Sequence, residues 1–166
     1  MMTVPELLLH VEARTALDVV AIADHDQVAG ALEAVEWCAG RPGGRVRAIV
    51  GTEISASWGR HLVALFFEEP YPTRPFPRFR PLRETLARVA DVGGLVVAPH
   101  PLSALVPSLG QRALRRLLAE PGVRDVLLGI EVCSGVVGGR RASSAARRSS
   151  GVLPGNAVYA QATCST

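Results

Sequence analysis

A short apolar run, Ala21-Ile22-Ala23, ends in Asp24-His25-Asp26, an imidazole flanked by two carboxylates. Three further segments end or begin in the same way. Arginine and apolar residues alternate over 45–50 before Gly51-Thr52-Glu53, His61 opens the apolar run 61–67, and the run 94–98 passes directly into Pro99-His100-Pro101. Imidazole nitrogens and carboxylate oxygens are the usual ligands of zinc, manganese and ferrous iron, and one carboxylate can bridge two ions. A single histidine at a strand end is more often a packed, hydrogen-bonded residue than a ligand. The repetition of polar groups at strand ends shifts that balance toward His25, Glu53, His61 and His100 as one metal-ligating set. His10, placed among leucines in a helical stretch, has no strand-end context and is set aside.

These residues need a scaffold that brings strand ends together. Residues 18–23 carry the β-branched enrichment of an interior parallel strand. A helix is predicted over residues 5–15, with Thr3 as N-cap and Pro5 in its first turn. A second is predicted over 27–39, where Val28, Leu32, Val35 and Ala39 share a stripe that Gly40 and the turn Arg41-Pro42-Gly43-Gly44 bring to an end. Strands over 45–50 and 61–67 flank a loop at 55–60. Helical spacing returns at 82–92, a strand at 94–98, a helix at 111–119 stopped by Pro121-Gly122, and a strand at 126–132 carrying Glu131. Five of the 12 prolines fall within 68–81, which predicts a stiff irregular loop or lid rather than a domain boundary. The alternation of strand and helix predicts an α/β fold with a parallel sheet, open or closed into a barrel, whose strand ends share one ligand-binding face.

Composition narrows the function classes. With 166 residues and 48% hydrophobic content the chain can bury one domain-sized core. No apolar run reaches the roughly 18 residues that cross a bilayer, and the amino terminus lacks the basic-then-apolar layout of a secretory signal, so a cytoplasmic protein without a membrane partner is expected. Cys38, Cys133 and Cys164 are three in number and far apart, which indicates neither a disulfide framework nor a thiolate zinc site. All 18 basic residues are arginine. The 15 acids all lie at or before Glu131, whereas Arg140, Arg141, Arg147 and Arg148 follow it, so the net charge of +3 belongs to the tail. The body is near neutral, and a basic nucleic-acid face is not expected of the domain. Residues 1–135 are therefore read as one α/β domain and 136–166 as a divergent Arg/Ser/Gly-rich tail, a candidate for disorder in which 135–150 could form a weak helix and the last sixteen residues show no clear period.

The segments Ile22-Ala23-Asp24-His25-Asp26, Gly51-Thr52-Glu53-Ile54-Ser55, His61-Leu62-Val63-Ala64-Leu65, Ala98-Pro99-His100-Pro101 and Gly129-Ile130-Glu131-Val132 together resemble successive motifs of the PHP (polymerase and histidinol phosphatase) family. One such peptide is weak; five in order on alternating strands are specific. The resemblance implies a distorted (β/α)7 barrel with a two- or three-metal site that hydrolyses phosphate esters, including nucleotide or nucleic-acid-end phosphates. It implies His25, His61 and His100 as ligands of divalent manganese, zinc, magnesium or iron, and Glu53 as a bridging carboxylate, with His25 and Glu53 central to catalysis. Asp24 and Asp26 are then expected to orient His25 from behind, and Glu131 to form a wall of the site. The family's opening His-x-His strand and Ser-Asp-Gly turn have no counterpart here, nor does its closing Asp-x-His. The expectation is thus a barrel lacking its first strand and its last, with partial metal occupancy and impaired activity. The competing expectation is a non-catalytic remnant that folds poorly alone or acts as an interaction module, self-associating through exposed sheet edges.

Overall fold

A computed structural model of the chain describes residues 2–100, 109–134 and 158–161. The chain enters through α1 (Val4–Arg14). Thr3 caps it: its hydroxyl accepts the Glu6 N–H at 3.4 Å, and its own N–H donates to the Glu6 carboxylate at 2.7 Å. This reciprocal box satisfies two of the amides that a helix start leaves open. There follow β1 (Val19–Ile22), α2 (Ala29–Ala39) and β2 (Arg47–Ser55). The Arg45 guanidinium ties the segment entering β2 to α1 and to the connection between α1 and β1, donating to the carbonyls of Glu12, Thr15 and Leu17 and to the Asp18 carboxylate at 2.6–2.9 Å. A single turn of 3-10 helix (Ser57–Gly59) leads to β3 (His61–Phe66), and after the proline-rich loop come α3 (Leu82–Asp91) and β4 (Leu95–Ala98). The described chain continues with α4 (Gln111–Leu118), α5 (Val123–Val126), β5 (Leu127–Ser134) and β6 (Val158–Gln161).

The six strands lie side by side in chain order, β1-β2-β3-β4-β5-β6. β1 and β2 are parallel, as are β4, β5 and β6, but β3 runs antiparallel to both β2 and β4. The expected all-parallel sheet is therefore a mixed one. Residues 56–60 between β2 and β3 are too few for a crossover, so those strands must form a hairpin. β1 has one partner, β2, and Val19 is 49% exposed, so β1 is an edge strand among the described residues rather than an interior one. β2 also runs further than its apolar pattern predicts, carrying Gly51-Thr52-Glu53 inside the strand instead of after it.

Alternation along the strands separates two faces. Ile22, Val50, Ile54, Leu62, Ala64, Phe66, Val96 and Ala98 meet α2, α3, α4 and α5 in the principal core. Phe66, 1% exposed, stacks on Phe76 of the proline-rich loop at 5.9 Å between ring centroids, which pins that loop to the core. α1 closes a smaller cluster in which Leu8, Ala34 and Val46 are buried. The other face carries Val63, Leu65 and Val97 with Ala21 and Ala23 against them. Glu53 shares that face, because it pairs across the hairpin with Val63.

The tail departs from expectation at one place: Val158–Gln161 forms β6, parallel to β5 with Ile130 opposite Val158. Four residues are too short a run to show a period in sequence. The rest of 136–166, including the four tail arginines and Cys164, lies outside the described residues.

Candidate metal centre

Backbone pairing sets the site. Beyond the end of β1 the chain stays alongside β2: the Glu53 N–H donates to the Asp24 carbonyl at 3.0 Å and the Asp26 N–H to the Glu53 carbonyl at 2.8 Å. His25 and Glu53 are thereby a parallel bridge pair, with their side chains on one face. The hairpin brings Ser55 opposite His61, and the pairing of Val63 with Val97 places the end of β4, hence His100, beside them. Only a small side chain lets β1 and β2 approach so closely at Gly51, where a Cβ would stand 2.8 Å from the Ile22 carbonyl oxygen.

The Glu53 carboxylate is the hub. It is 5% exposed as a residue, and its two oxygens divide the histidines between them. Oε1 lies 3.2 Å from His61 Nδ1 and 3.5 Å from His100 Nε2, whereas Oε2 lies 3.6 Å from His25 Nε2. The rings meet edge to face, His25 with His61 at 4.8 Å and His61 with His100 at 5.6 Å between centroids. Burial opposes ionisation of Glu53, but the imidazoles of His100 and His61, with His25 adding charge, outweigh it and hold its carboxyl at about 2, below the ordinary 4.5. One ligand atom each from His25, Glu53 and His61 fall within 4.8 Å of one another, a spacing that one ion can span.

These residues fit a metal on their own chemistry. Nδ1 of His61 and Nδ1 of His100 are buried with no hydrogen-bond partner among the described residues. His61 Nδ1 nonetheless stands 3.2 Å from Glu53 Oε1, close enough for the carboxylate to feel the ring. Buried polar atoms normally find partners, and the open Nδ1 of His61 beside the ionised Glu53, with Nε2 of His25 and of His100 facing the same carboxylate, makes a nitrogen–oxygen donor set of the kind divalent transition ions take.

The remaining sequence-predicted residues take different places. Glu131, 2% exposed, accepts the backbone N–H of His100 through Oε2, so it holds the His100 main chain rather than merely lining a wall. Neither Asp24 nor Asp26 hydrogen-bonds His25. In extended backbone the neighbours of a residue project to the opposite face, and Asp24 does so, its Oδ2 lying 2.6 Å from where a Gly30 Cβ would be. Asp26, with φ of 52°, turns back and clamps Ser55 instead, accepting its N–H and its hydroxyl at 2.8 Å each. Ser55 is the member of the site that residue chemistry missed; its signal was the polar end of Gly51-Thr52-Glu53-Ile54-Ser55. His10 is an exposed residue of α1.

Known structures share this arrangement of elements. A protein of Bifidobacterium adolescentis assigned to the metal-dependent phosphoesterases superposes with a TM-score of 0.68 at 17% identity, over 96% of this chain and 81% of that one. An amidohydrolase from Chromobacterium violaceum, with bound sulfate and no metal, gives 0.61 at 18% identity over 95% and 80%. A two-domain Bacteroides vulgatus protein containing a predicted PHP-like metal-dependent phosphoesterase gives 0.54 at 16% over 81% and 40%. The chain thus has the fold of the PHP-like metal-dependent phosphoesterases. No family model matches the sequence. An uncharacterized protein of Methanocaldococcus jannaschii is 32% identical over 108 residues, which are 65% of this chain and 58% of that relative.

Proposed function

We propose that the protein is a metal-dependent hydrolase of phosphate esters, with His25, Glu53, His61 and His100 as its metal ligands. The observation that carries this reading is the divided Glu53 carboxylate, one oxygen toward His61 and His100 and the other toward His25, beside a buried His61 Nδ1 with no hydrogen-bond partner among the described residues. That division suits a bridging carboxylate, the role the motif resemblance implies for Glu53. The shared fold supports the reaction class. When bound, a divalent cation supplies Lewis-acid polarisation of a phosphoryl oxygen and lowers the pKa of water.

The chain's own residues prepare the place for it. Glu53, held ionised well below neutral pH, presents negative charge at the centre of the cluster. Glu131 fixes the backbone of His100, and the Asp26–Ser55 clamp joins the segment carrying His25 to the end of β2. His25, with a side chain 57% exposed, is the solvent-facing member where a phosphate can enter, whereas His61 and His100 stand deeper at 20% and 10%. The group of ligand atoms lying within mutual reach belongs to His25, Glu53 and His61, which fits one well-held ion and a less complete second position.

The test is metal analysis of the purified chain followed by hydrolysis of simple phosphomonoesters in manganese or zinc. About one ion per chain with metal-dependent release of phosphate is expected. Neither bound metal nor turnover would overturn the reading.

A further inference from the structure

α4, Gln111-Arg112-Ala113-Leu114-Arg115-Arg116-Leu117-Leu118, divides its residues between two sides. Leu114, Leu117 and Leu118 are buried in the principal core, which fixes how the helix is turned. Arg112, Arg115 and Arg116 are exposed, and their i, i+3, i+4 spacing sets them on one side of the helix. With Ala119 they line one concavity of about 550 Å³, within the size range of small-ligand sites. None of these residues belongs to the metal centre, and the core on which α4 packs uses the face of the sheet opposite the one that Glu53 shares.

Five arginines elsewhere stand against carboxylates. Arg80 and Arg88 share Glu84 at 3.8 and 3.0 Å, and Arg83 meets Glu120 at 2.7 Å. Arg41 meets Glu12 at 3.0 Å and Arg45 meets Asp18 at 2.9 Å. Arg112, Arg115 and Arg116 have no ion, ring or hydrogen-bond partner among the described residues. Glu120, one turn beyond Arg116, is taken by Arg83 from α3. All 15 acids of the chain lie among the described residues, so no other segment holds a carboxylate side chain to neutralise the three charges. The helix dipole favours Arg115 and Arg116 in the last turn but opposes Arg112 in the first, and like charges at this spacing repel one another. The fold therefore gains nothing from holding all three together.

We infer that Arg112, Arg115 and Arg116 form a binding site for an oligophosphate anion, a short chain of phosphoryl groups. A guanidinium has donors and no acceptor, so three of them facing one concavity call for a ligand rich in acceptors and negative charge. The planar fork of arginine matches phosphoryl oxygens two at a time. Arg112 and Arg116 are rooted one turn apart, about 6 Å along the axis, which a chain of phosphoryl groups spans better than a single phosphate does. The site requires no metal and is independent of the phosphoesterase reading.

The probe is inorganic tripolyphosphate, titrated calorimetrically into the metal-stripped full chain, with orthophosphate, citrate and a short single-stranded oligonucleotide as comparisons. One tripolyphosphate per chain is expected, bound more tightly than orthophosphate or citrate. Arg112→Gln, Arg115→Gln and Arg116→Gln should each weaken it about 2- to 5-fold, the range of one exposed charge pair, and the triple variant roughly 10- to 100-fold. Arg14→Gln, which removes the same charge from α1, should leave the affinity unchanged. The melting temperature of each variant without ligand separates lost binding from lost folding. Tripolyphosphate held no better than orthophosphate, or equally well by the triple variant, would overturn the site. Tighter binding of citrate would overturn the phosphoryl class. Tighter binding of the oligonucleotide, lost in the triple variant, would overturn the oligophosphate and give the face to a nucleic-acid strand.

Discussion

Replacing Glu53 by Gln keeps the volume of the side chain and removes its charge, so it isolates what that charge does. In the metal-free protein the carboxyl is held at about 2 against the ordinary 4.5, a gap of about 2.5 units. With the side chain only 7% exposed, that difference makes the ionised group worth about 3 kcal/mol to the native state at neutral pH. For a chain of this size that corresponds to a fall in melting temperature of about 6–12 °C in Glu53→Gln. The sign follows from the depressed value: the native advantage is fully present above pH 4.5 and shrinks as pH falls toward 2. A second arm uses metal. Manganese at about 100 times its dissociation constant should stabilise the native protein by about 2.7 kcal/mol and Glu53→Gln by almost nothing. Differential scanning fluorimetry from pH 3 to 8, in chelator and in manganese, reads both arms. A Glu53→Gln protein that melts at or above the native temperature in chelator at pH 7 would refute the electrostatic account. One that keeps the manganese shift would refute Glu53 as a ligand.

Two further substitutions probe how the site is held. Gly51→Ala places a methyl 2.8 Å from the Ile22 carbonyl oxygen and 3.3 Å from the Ala23 Cβ, so β1 and β2 must part. The expected cost is about 1–3 kcal/mol, with weaker manganese binding because the His25–Glu53 bridge follows directly; urea unfolding with unchanged midpoint would contradict that tight approach. Asp26→Asn keeps a residue that tolerates positive φ but loses the charged acceptor of two Ser55 bonds, and should cost about 1–2 kcal/mol by the same measurement. A loss confined to metal affinity, with stability intact, would show that Asp26 serves His25 after all.

What could be read in the sequence and what could not divide along physical lines. α1, α2, α3 and α4 announced themselves through caps, helical spacing and terminators that act within a few residues, such as Thr3 with Glu6, or Gly40 after Ala39. The convergence of His25, Glu53, His61 and His100 was legible because each stands at or near a strand end and the strands pair in chain order. Strand direction was not carried by those patterns. It was set by the short connection 56–60, which turns β3 around. The role of Asp26 was hidden for a different reason: its φ of 52° redirects the carboxylate toward Ser55, and no composition rule reports a backbone angle. The left-handed backbone of Trp58, φ 63°, is likewise invisible in a sequence that shows only a turn residue beside a glycine.

The β2–β3 hairpin has a kinetic consequence. Glu53 and His61 are separated by few residues and are diagonal neighbours on the hairpin, Glu53 opposite Val63 and His61 opposite Ser55, so the entropy lost in bringing them together is small. A hairpin of this kind closes in microseconds, whereas His25 and His100 must be delivered by parallel pairing of β1 and by antiparallel return of β4 across the long proline-rich segment. Half of the proposed ligand set is therefore expected to assemble first on a local element, so that an ion present during folding would meet Glu53 and His61 already side by side. The remaining histidines then close upon an anchored centre rather than gather four independent parts at once.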